Sequence, residues 1–451
     1  MIGTGVFTTS GFTMGAVGSV SGVMLCWVLG GLIAICGAVG YGQLATLMPQ
    51  SGGEYLFLSR HVHPLAGFLG GWISLVAGFS GAVALSAVAF EQYAVPAGLR
   101  PDWLPADVIA VLIILIFGAA HAVHVRGGTR LQDTVVVIKL ISLIVFLAVV
   151  GWNATSHPWH VSTPSAASGG PSILAVATSL VWISLSFAGF NAAVYVAGES
   201  HQAARNVPRA LIWGTALTTV LYLVLNFVFV AATSPDEIRW QEPVAAIAAQ
   251  AIGGNRLELL IRFAVSLGLA SSISGMIMSG PRVYARMAQD GLFPPRFAPQ
   301  NGRFTESIML QCGLSIGLIL IQRGLTTAGY SPSSLLGLLR YLGTTLSLSS
   351  ACCVATLFLP SVSRRLPTRS LIKSVLSLTY VVATFASVIL MTTQHQENGE
   401  SRGVWHLTGV TLTVLSGLVA WKLLRPQLSP RDGTTTSSAG PEVVPDAAAD
   451  E

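Results

Sequence analysis

The sequence predicts an all-α integral membrane bundle, and three observations carry that expectation. The chain of 451 residues is 52% hydrophobic and only 10% charged, with a mean hydropathy of +0.67. A soluble protein carries roughly 25% charged residues, and a chain this poor in charge cannot cover its surface with polar groups. Mostly apolar stretches of about 20 residues, the length that crosses a bilayer, follow one another along the chain. Lys and Arg concentrate in alternate loops, the pattern of a multi-pass protein under the positive-inside rule. The net charge of +5 comes without a basic run interleaved with aromatics, which excludes nucleic acid as a partner.

Taken in order, an opening segment runs to about Val17, and apolar spans follow near 22–48, 65–94, 106–123, 134–152 and 172–199. Further spans lie near 209–232, 257–286, 306–322, 333–359, 371–392 and 404–424. With the first counted as partial these make twelve, the longest needing tilt. If the first segment runs outward, sixteen basic residues face the cytoplasm, Arg60, Arg130, Arg205, Arg286 and Lys422 among them. Six face outward: Arg100, Arg239, Arg256, Arg262, Arg323 and Arg402. The opposite orientation inverts the bias, so the C-terminus is expected in the cytoplasm. The tail 425–451, rich in Ser, Thr, Pro, Asp and Ala, is expected to be disordered and solvated. Cys26, Cys36, Cys312, Cys352 and Cys353 all fall in apolar segments, as packing residues rather than a disulfide framework or a zinc site. No cofactor is called for. No cleavable signal peptide is expected, because no basic stretch precedes the first apolar segment.

The opening residues Met1-Ile2-Gly3-Thr4-Gly5-Val6-Phe7 organise the rest. An unwound backbone in a bilayer is tolerated only where it lines a cavity or is buried in protein. Backbone amides uncrowded by side chains suit a carboxylate, especially where a helix begins. Taken alone, the two glycines read more readily as close helix packing than as a site. The sixth span carries a second small-residue interruption, Ala188-Gly189, five spans after the first. Because five is odd, the halves insert with opposite topology, a 5+5 inverted repeat with discontinuous helices 1 and 6. On this reading 1–424 is a transporter domain, with repeat one at about 1–152, repeat two at about 172–359 and two extra helices at about 371–424.

Five motifs in this order carry a family resemblance. They are Ile2-Gly3-Thr4-Gly5-Val6-Phe7, then Pro49-Gln50-Ser51-Gly52-Gly53-Glu54-Tyr55, then Thr129-Arg130-Leu131-Gln132-Asp133 followed by Lys139. The fourth is Asn191-Ala192-Ala193-Val194-Tyr195-Val196-Ala197-Gly198-Glu199 with Arg205-Asn206-Val207-Pro208-Arg209-Ala210, and the fifth is the run Pro281 to Gly291. Over most of its length the chain resembles the amino acid–polyamine–organocation superfamily of permeases, in particular bacterial amino acid permeases and the related L-type amino acid transporters. The resemblance implies a secondary transporter whose substrate lies between the breaks of helices 1 and 6. Three departures stand out. The half-helix that normally precedes the Gly-x-Gly break is missing, Gln43 stands where many relatives have a glutamate, and Leu185 stands where several place an aromatic gate.

The physics of that site is consistent with the resemblance. A helix starting near Gly5 turns free amides of Thr4 and Gly5 and a positive dipole end toward an anion. A half-helix ending near Leu185 to Phe187 turns unpaired carbonyls toward an ammonium group. The expected substrate-binding residues are therefore Ile2, Gly3, Thr4 and Gly5 with Leu185, Ser186, Phe187, Ala188, Gly189 and Phe190. Phe187 and Phe190 shape a side-chain pocket or simply pack between helices. Lys139 lies within the fifth span, and by composition alone it is expected to snorkel toward the cytoplasmic surface. In sodium-independent members of the superfamily a lysine at the matching position stands where sodium-coupled relatives bind the ion. The resemblance thus implies coupling through Lys139, with Ser271 and Ser272 as acceptors, in a sodium-independent proton symporter or exchanger. His121-x-x-His124 lacks a third ligand and is set aside as a metal site. His157 and His160 are expected to be solvated, and Glu91 and Arg340 to snorkel. Glu54, Glu199 and Arg205 are gate or loop-locking charges without an assigned partner.

An amino acid or related amine, the lipid bilayer and protons are thus the expected partners. A sensor would need an output domain larger than the 27-residue tail, a channel a ring of charges or symmetric subunits, and an enzyme a nucleophile–base pair. The missing half-helix leads to a first prediction. The genomic sequence upstream of Met1 continues in frame for about 20–35 residues, mostly apolar. A stop codon directly before Met1 would count against it.

Overall fold

The computed structural model describes residues 5–95, 100–123, 128–153, 155, 157–160, 171–329, 334–366, 370–397 and 405–424. Ile2, Gly3, Thr4, His124 and the tail 425–451 lie outside them. Helices α1 (Gly5–Val17) and α2 (Val20–Leu47) come first, the latter opened by Ser19, whose side chain accepts from the Gly22 N–H. A short α3 (Gly53–His61) stands where the sequence led us to expect only a loop. Next, α4 (Pro64–Ile73), a π-helical stretch Ser74–Gly81 and α5 (Ala82–Ala94) form one span, followed by α6 (Val108–Val123) and α7 (Gly128–Asn153). Helix α8 (Ile173–Ser186) starts at the Ser172 cap and passes into a 3₁₀ stretch, Ala188–Glu199. The chain continues through α9 (Ala203–Ala231), α10 (Pro235–Ile238), α11 (Val244–Gln289) and α12 (Thr305–Thr327). It ends with α13 (Ser334–Ala355), α14 (Pro360–Ser363), α15 (Leu371–Glu397) and α16 (Trp405–Leu424).

Among the described residues nine helices are long and apolar enough to cross a membrane, and 108–122 and 137–153 form two shorter apolar helices. No strand is formed there; Gln300 and Arg303 make one isolated bridge. The span expected at 257–286 belongs to a longer α11 that bends at Gly253 and Gly254. Gly254 has φ +63° and ψ −160°, a backbone region open in practice only to glycine.

Helix α1 is short, nearly all buried, and packs against α8, α9 and α11, while α2 lies along α9 and α15 against α2 and α8. A buried polar chain fixes α1. Trp27 Nε1 on α2 donates to Ser10 Oγ at 2.8 Å, and Ser10 Oγ donates to Asn226 Oδ1 on α9 at 2.5 Å. Tyr93 on α5 donates to the Phe7 carbonyl at 2.8 Å. A buried bond of this kind nets about 1 kcal/mol, but stranding one partner loses 1–3, so the chain specifies where α1 sits. The Trp27, Phe187 and Tyr222 rings close behind it at 5.1–6.1 Å between centroids.

Two expectations about polar residues are corrected on the side that the charge bias assigns to the exterior. Glu91 does not snorkel. It is 3% exposed, pairs with Arg100, and accepts the N–H groups of Asp107 at 2.8 Å and Ala110 at 2.9 Å, capping α6 from α5. Burial and the Glu91 charge push the Asp107 carboxyl up, against the pull of Arg323 and Arg100. His157 is half-buried rather than solvated: its Nε2 lies 2.8 Å from the Ala232 carbonyl and its ring meets Trp159. His160 is exposed, but its N–H donates to the Ala231 carbonyl. Both close over the end of α9 because the last carbonyls of a helix lack internal partners.

Glu91→Ala leaves Arg100 and two helix amides without their acceptor. It should lower stability in a detergent melt by about 3 kcal/mol, the scale for breaking a buried pair from one side. Asp236→Ala, which removes an exposed pair with Arg239, should change it by less than about 0.5 kcal/mol.

Candidate functional site

The π-helical stretch and the α8 junction both border one cavity of about 190 Å³. Gly5 at the described start of α1 lines it, as do Ser74, Gly78 and Phe79 of the π stretch, and the residues Leu185 to Phe190 at the α8 junction. Ser272 of α11 and the facing sides of α13 and α15 complete the wall. π turns and long 3₁₀ runs are uncommon, and both recur at functional sites and hinges. Here the 3₁₀ run spans 12 residues, where 3–4 is usual.

The Gly5 backbone meets the end of α8 in contact. A Cβ built on Gly5 would fall 2.1 Å from Ser186 Oγ and 2.8 Å from Ser186 Cα. Only glycine permits α1 to approach the end of α8 so closely. Thr9 Oγ1 lies 3.4 Å from Ser186 Oγ, and Tyr222 donates to the Ser186 carbonyl at 3.2 Å. Phe187 has φ −94° and ψ 1°, the sparsely allowed bridge region, and separates the α-helix from the 3₁₀ stretch. The carbonyls expected to be unpaired here are partly satisfied. Phe190 donates its N–H to the Phe187 carbonyl at 2.8 Å, and the Phe187 N–H reaches the Ser184 and Leu185 carbonyls. The tight i→i+3 winding supplies these partners in place of an open unwound segment.

Of the expected site residues, Gly5 and Leu185 to Phe190 come together, with Ser272 on the same wall. Ser271 is buried beside it and is not among the lining residues. Lys139 does not snorkel: it is 4% exposed, and its aliphatic stem lies against Gly268 on α11. Ser272 Oγ donates to that same Gly268 carbonyl at 3.0 Å. Gln43, in place of the glutamate, is buried and donates to Ser377 Oγ at 2.9 Å, tying α2 to α15 as a neutral link. His121 Nε2 lies 2.9 Å from Ser274 Oγ, so the helix-end histidine has a structural partner. No cluster of three metal-ligating groups occurs among the described residues.

The sequence flagged Glu54 but gave it no partner. It is 4% exposed and is the one charged side chain among the described residues that line the cavity. Tyr41 donates to Oε1 at 2.7 Å, Asn191 Nδ2 to Oε1 at 2.6 Å, and Tyr195 to Oε2 at 2.6 Å. Glu54 thus clamps α2, α3 and the 3₁₀ stretch at one point. The neighbouring Tyr55 donates to Asp290 Oδ2 at 2.7 Å, which also accepts from Arg286 Nε, so α3 is tied to the end of α11. Glu54 and Tyr55 belong to one sequence motif, and Asn191 and Tyr195 to another, which was the available signal. Arg205 is exposed, and the side chain of Glu199 is outside the described residues.

The amino acid permease family matches residues 1–421. The chain belongs to that family. This permease is 27% identical over 303 residues to the large neutral amino acids transporter small subunit 2 of Homo sapiens, covering 65% of the chain and 56% of the relative. It is 26% identical over 340 residues to the Asc-type amino acid transporter 1 of Homo sapiens, covering 73% of the chain and 65% of that protein. The permease therefore spans less than two thirds of the length of these relatives. Its fold is that of the Eremococcus coleocola manganese transporter, with a TM-score of 0.56 at 14% identity over 94% of the chain and 92% of that structure. The permease is a multi-pass membrane protein.

Gly5→Ala in the permease should lower its melting free energy by about 1–3 kcal/mol, because the added methyl forces α1 away from α8. Adding Ser186→Gly to that variant removes the nearest clashing atoms and should recover part of the loss. A single Gly5→Ala variant that melts like wild type would show that the contact is not tight.

Proposed function

We propose that the chain is a secondary active transporter that moves an amino acid or related amine across the cytoplasmic membrane by alternating access. The observation that carries this reading is the meeting of Gly5, at the described start of α1, with Ser186, at the end of α8, at the wall of the cavity. A helix start favours an anion and a helix end a cation, so a zwitterion fits between them without a charged side chain at mid-bilayer. Its carboxylate goes to the amides of Thr4 and Gly5, in the stretch that Ile2 and Gly3 open. Its ammonium goes to the turn from Leu185 to Phe187, where each carbonyl already engaged still has a second lone pair. Phe187, Ala188, Gly189 and Phe190 shape the space beyond. The names of the relatives, both amino acid transporters, support the substrate class. The frame of this reading is twelve spans, a 5+5 inverted repeat over about 1–152 and 172–359, two added helices at about 371–424, and a cytoplasmic tail 425–451.

Coupling is by proton symport or amino acid exchange, without sodium. Lys139 acts as a tethered cation in place of the ion, with Ser271 and Ser272 as acceptors for its ammonium. Its burial and its contact with Gly268, one turn before Ser272, support that role. A buried ammonium is costly unless paired, which gives it reason to exchange its proton during the cycle.

Uptake of a broad amino acid panel into proteoliposomes tests the function, and failure of the whole panel would sink it. Replacing sodium by choline should leave uptake unchanged. Lys139→Ala should cut turnover at least tenfold while shifting the melting temperature little. An absolute sodium requirement, or full activity in the variant, would overturn the coupling scheme.

A further inference from the structure

Beyond the region that would hold the zwitterion, the cavity runs between the last turn of α8, α13 and α15, along a wall of hydroxyl groups. Ser184, Ser347, Ser350 and Tyr380 line it, and the protons of all four can be traced. Ser184 Oγ lies 2.7 Å from the Val181 carbonyl, which can only accept, so the Ser184 proton is committed there. The proton in the 2.7 Å contact between Ser184 and Ser347 is therefore that of Ser347. Ser350 Oγ donates to the Leu346 carbonyl at 2.6 Å, and Tyr380 donates to Ser350 Oγ at 2.9 Å. Each hydroxyl has spent its one proton inside the protein and keeps only lone pairs for the cavity. Thr384 bonds to Tyr380 and so belongs to the same network, and Ser349 and Ser387 add further hydroxyls to the wall.

We infer that this wall selects substrates whose side chain carries a neutral hydrogen-bond donor, a hydroxyl or primary amide, and that Ser184, Ser347, Ser350 and Tyr380 make the selection. The inference rests on the transport reading above and adds the substrate class to it. An aliphatic side chain would strip water from these lone pairs and return no bond, which is the expensive way to bury a polar group. A side-chain carboxylate would face lone pairs and the Glu54 charge. An ammonium side chain would also meet acceptors here, but it gives up far more hydration on entering the bilayer core than a hydroxyl or amide does. Neutral donors remain.

Threonine and valine have the same shape and differ by a hydroxyl for a methyl, so they isolate the effect. With the full chain in proteoliposomes, threonine should compete for uptake about tenfold better than valine, the worth of roughly one net hydrogen bond. Asparagine should likewise outcompete leucine, and aspartate should not compete. The double variant Ser184→Ala/Ser347→Ala, with its fold checked by thermal melt, should bring the threonine-to-valine ratio toward one. Ser347→Ala alone serves if the double variant does not fold. A wild-type ratio near or below one overturns the inference while leaving transport standing, and an unchanged ratio in the folded variant overturns the assignment to these serines. If nothing in a broad panel is taken up, the transport reading falls and this one with it.

Discussion

The architecture depends on one close approach, the contact of the Gly5 backbone with Ser186. A helix that ends in mid-bundle, as α8 does, leaves backbone groups without internal partners, and in a bilayer such groups must meet protein or line a cavity. Seating the Gly5 backbone against the end of α8 serves both demands. The polar chain from Trp27 through Ser10 to Asn226 holds α1 at the depth where the approach occurs, and Tyr222 reaches the Ser186 carbonyl from behind. The aromatic trio of Trp27, Phe187 and Tyr222 fills the space that a less tight junction would leave. Packing and polar satisfaction thus enforce one geometry.

Glu54 plays the matching role at another edge of the cavity. A carboxylate out of water is expensive unless its lone pairs are filled, and three donors from two chain segments fill them. Its buried charge works as a rivet between α3 and the 3₁₀ stretch. The Gln43–Ser377 link shows the alternative, a neutral amide that joins two helices without a charge.

Much of the fold was legible because bilayer solvent writes itself into composition. Long apolar runs, sparse charge and basic loop bias led to helices that the structure forms within a few residues of the expected bounds. The exceptions have physical causes: α3 is too short for a hydropathy signal, and α11 outruns its expected span through a glycine bend. At the site, the interruption at Ala188-Gly189 marked a real change of winding, while the π stretch Ser74–Gly81 went unseen because it is as apolar as its neighbours. Partners were the hardest to read. Asn191 and Tyr195 lie 137 and 141 positions from Glu54, and Glu91 caps an amide 19 positions away, separations that no local pattern encodes. For Lys139, composition alone favoured a route to the surface while the resemblance implied an inward place, and the residue is buried with its stem against Gly268 of α11.

The winding of the segment after Phe187 also makes it a store of length. A 3₁₀ helix rises about 2.0 Å per residue and an α-helix about 1.5 Å, so rewinding these 12 residues would shorten the segment by about 6 Å. That is more than one α-helical turn of axial travel, obtained by shifting each backbone bond from a partner three residues away to one four residues away. Asn191 and Tyr195 lie on this segment, so any such rewinding would have to move their donors relative to the Glu54 carboxylate.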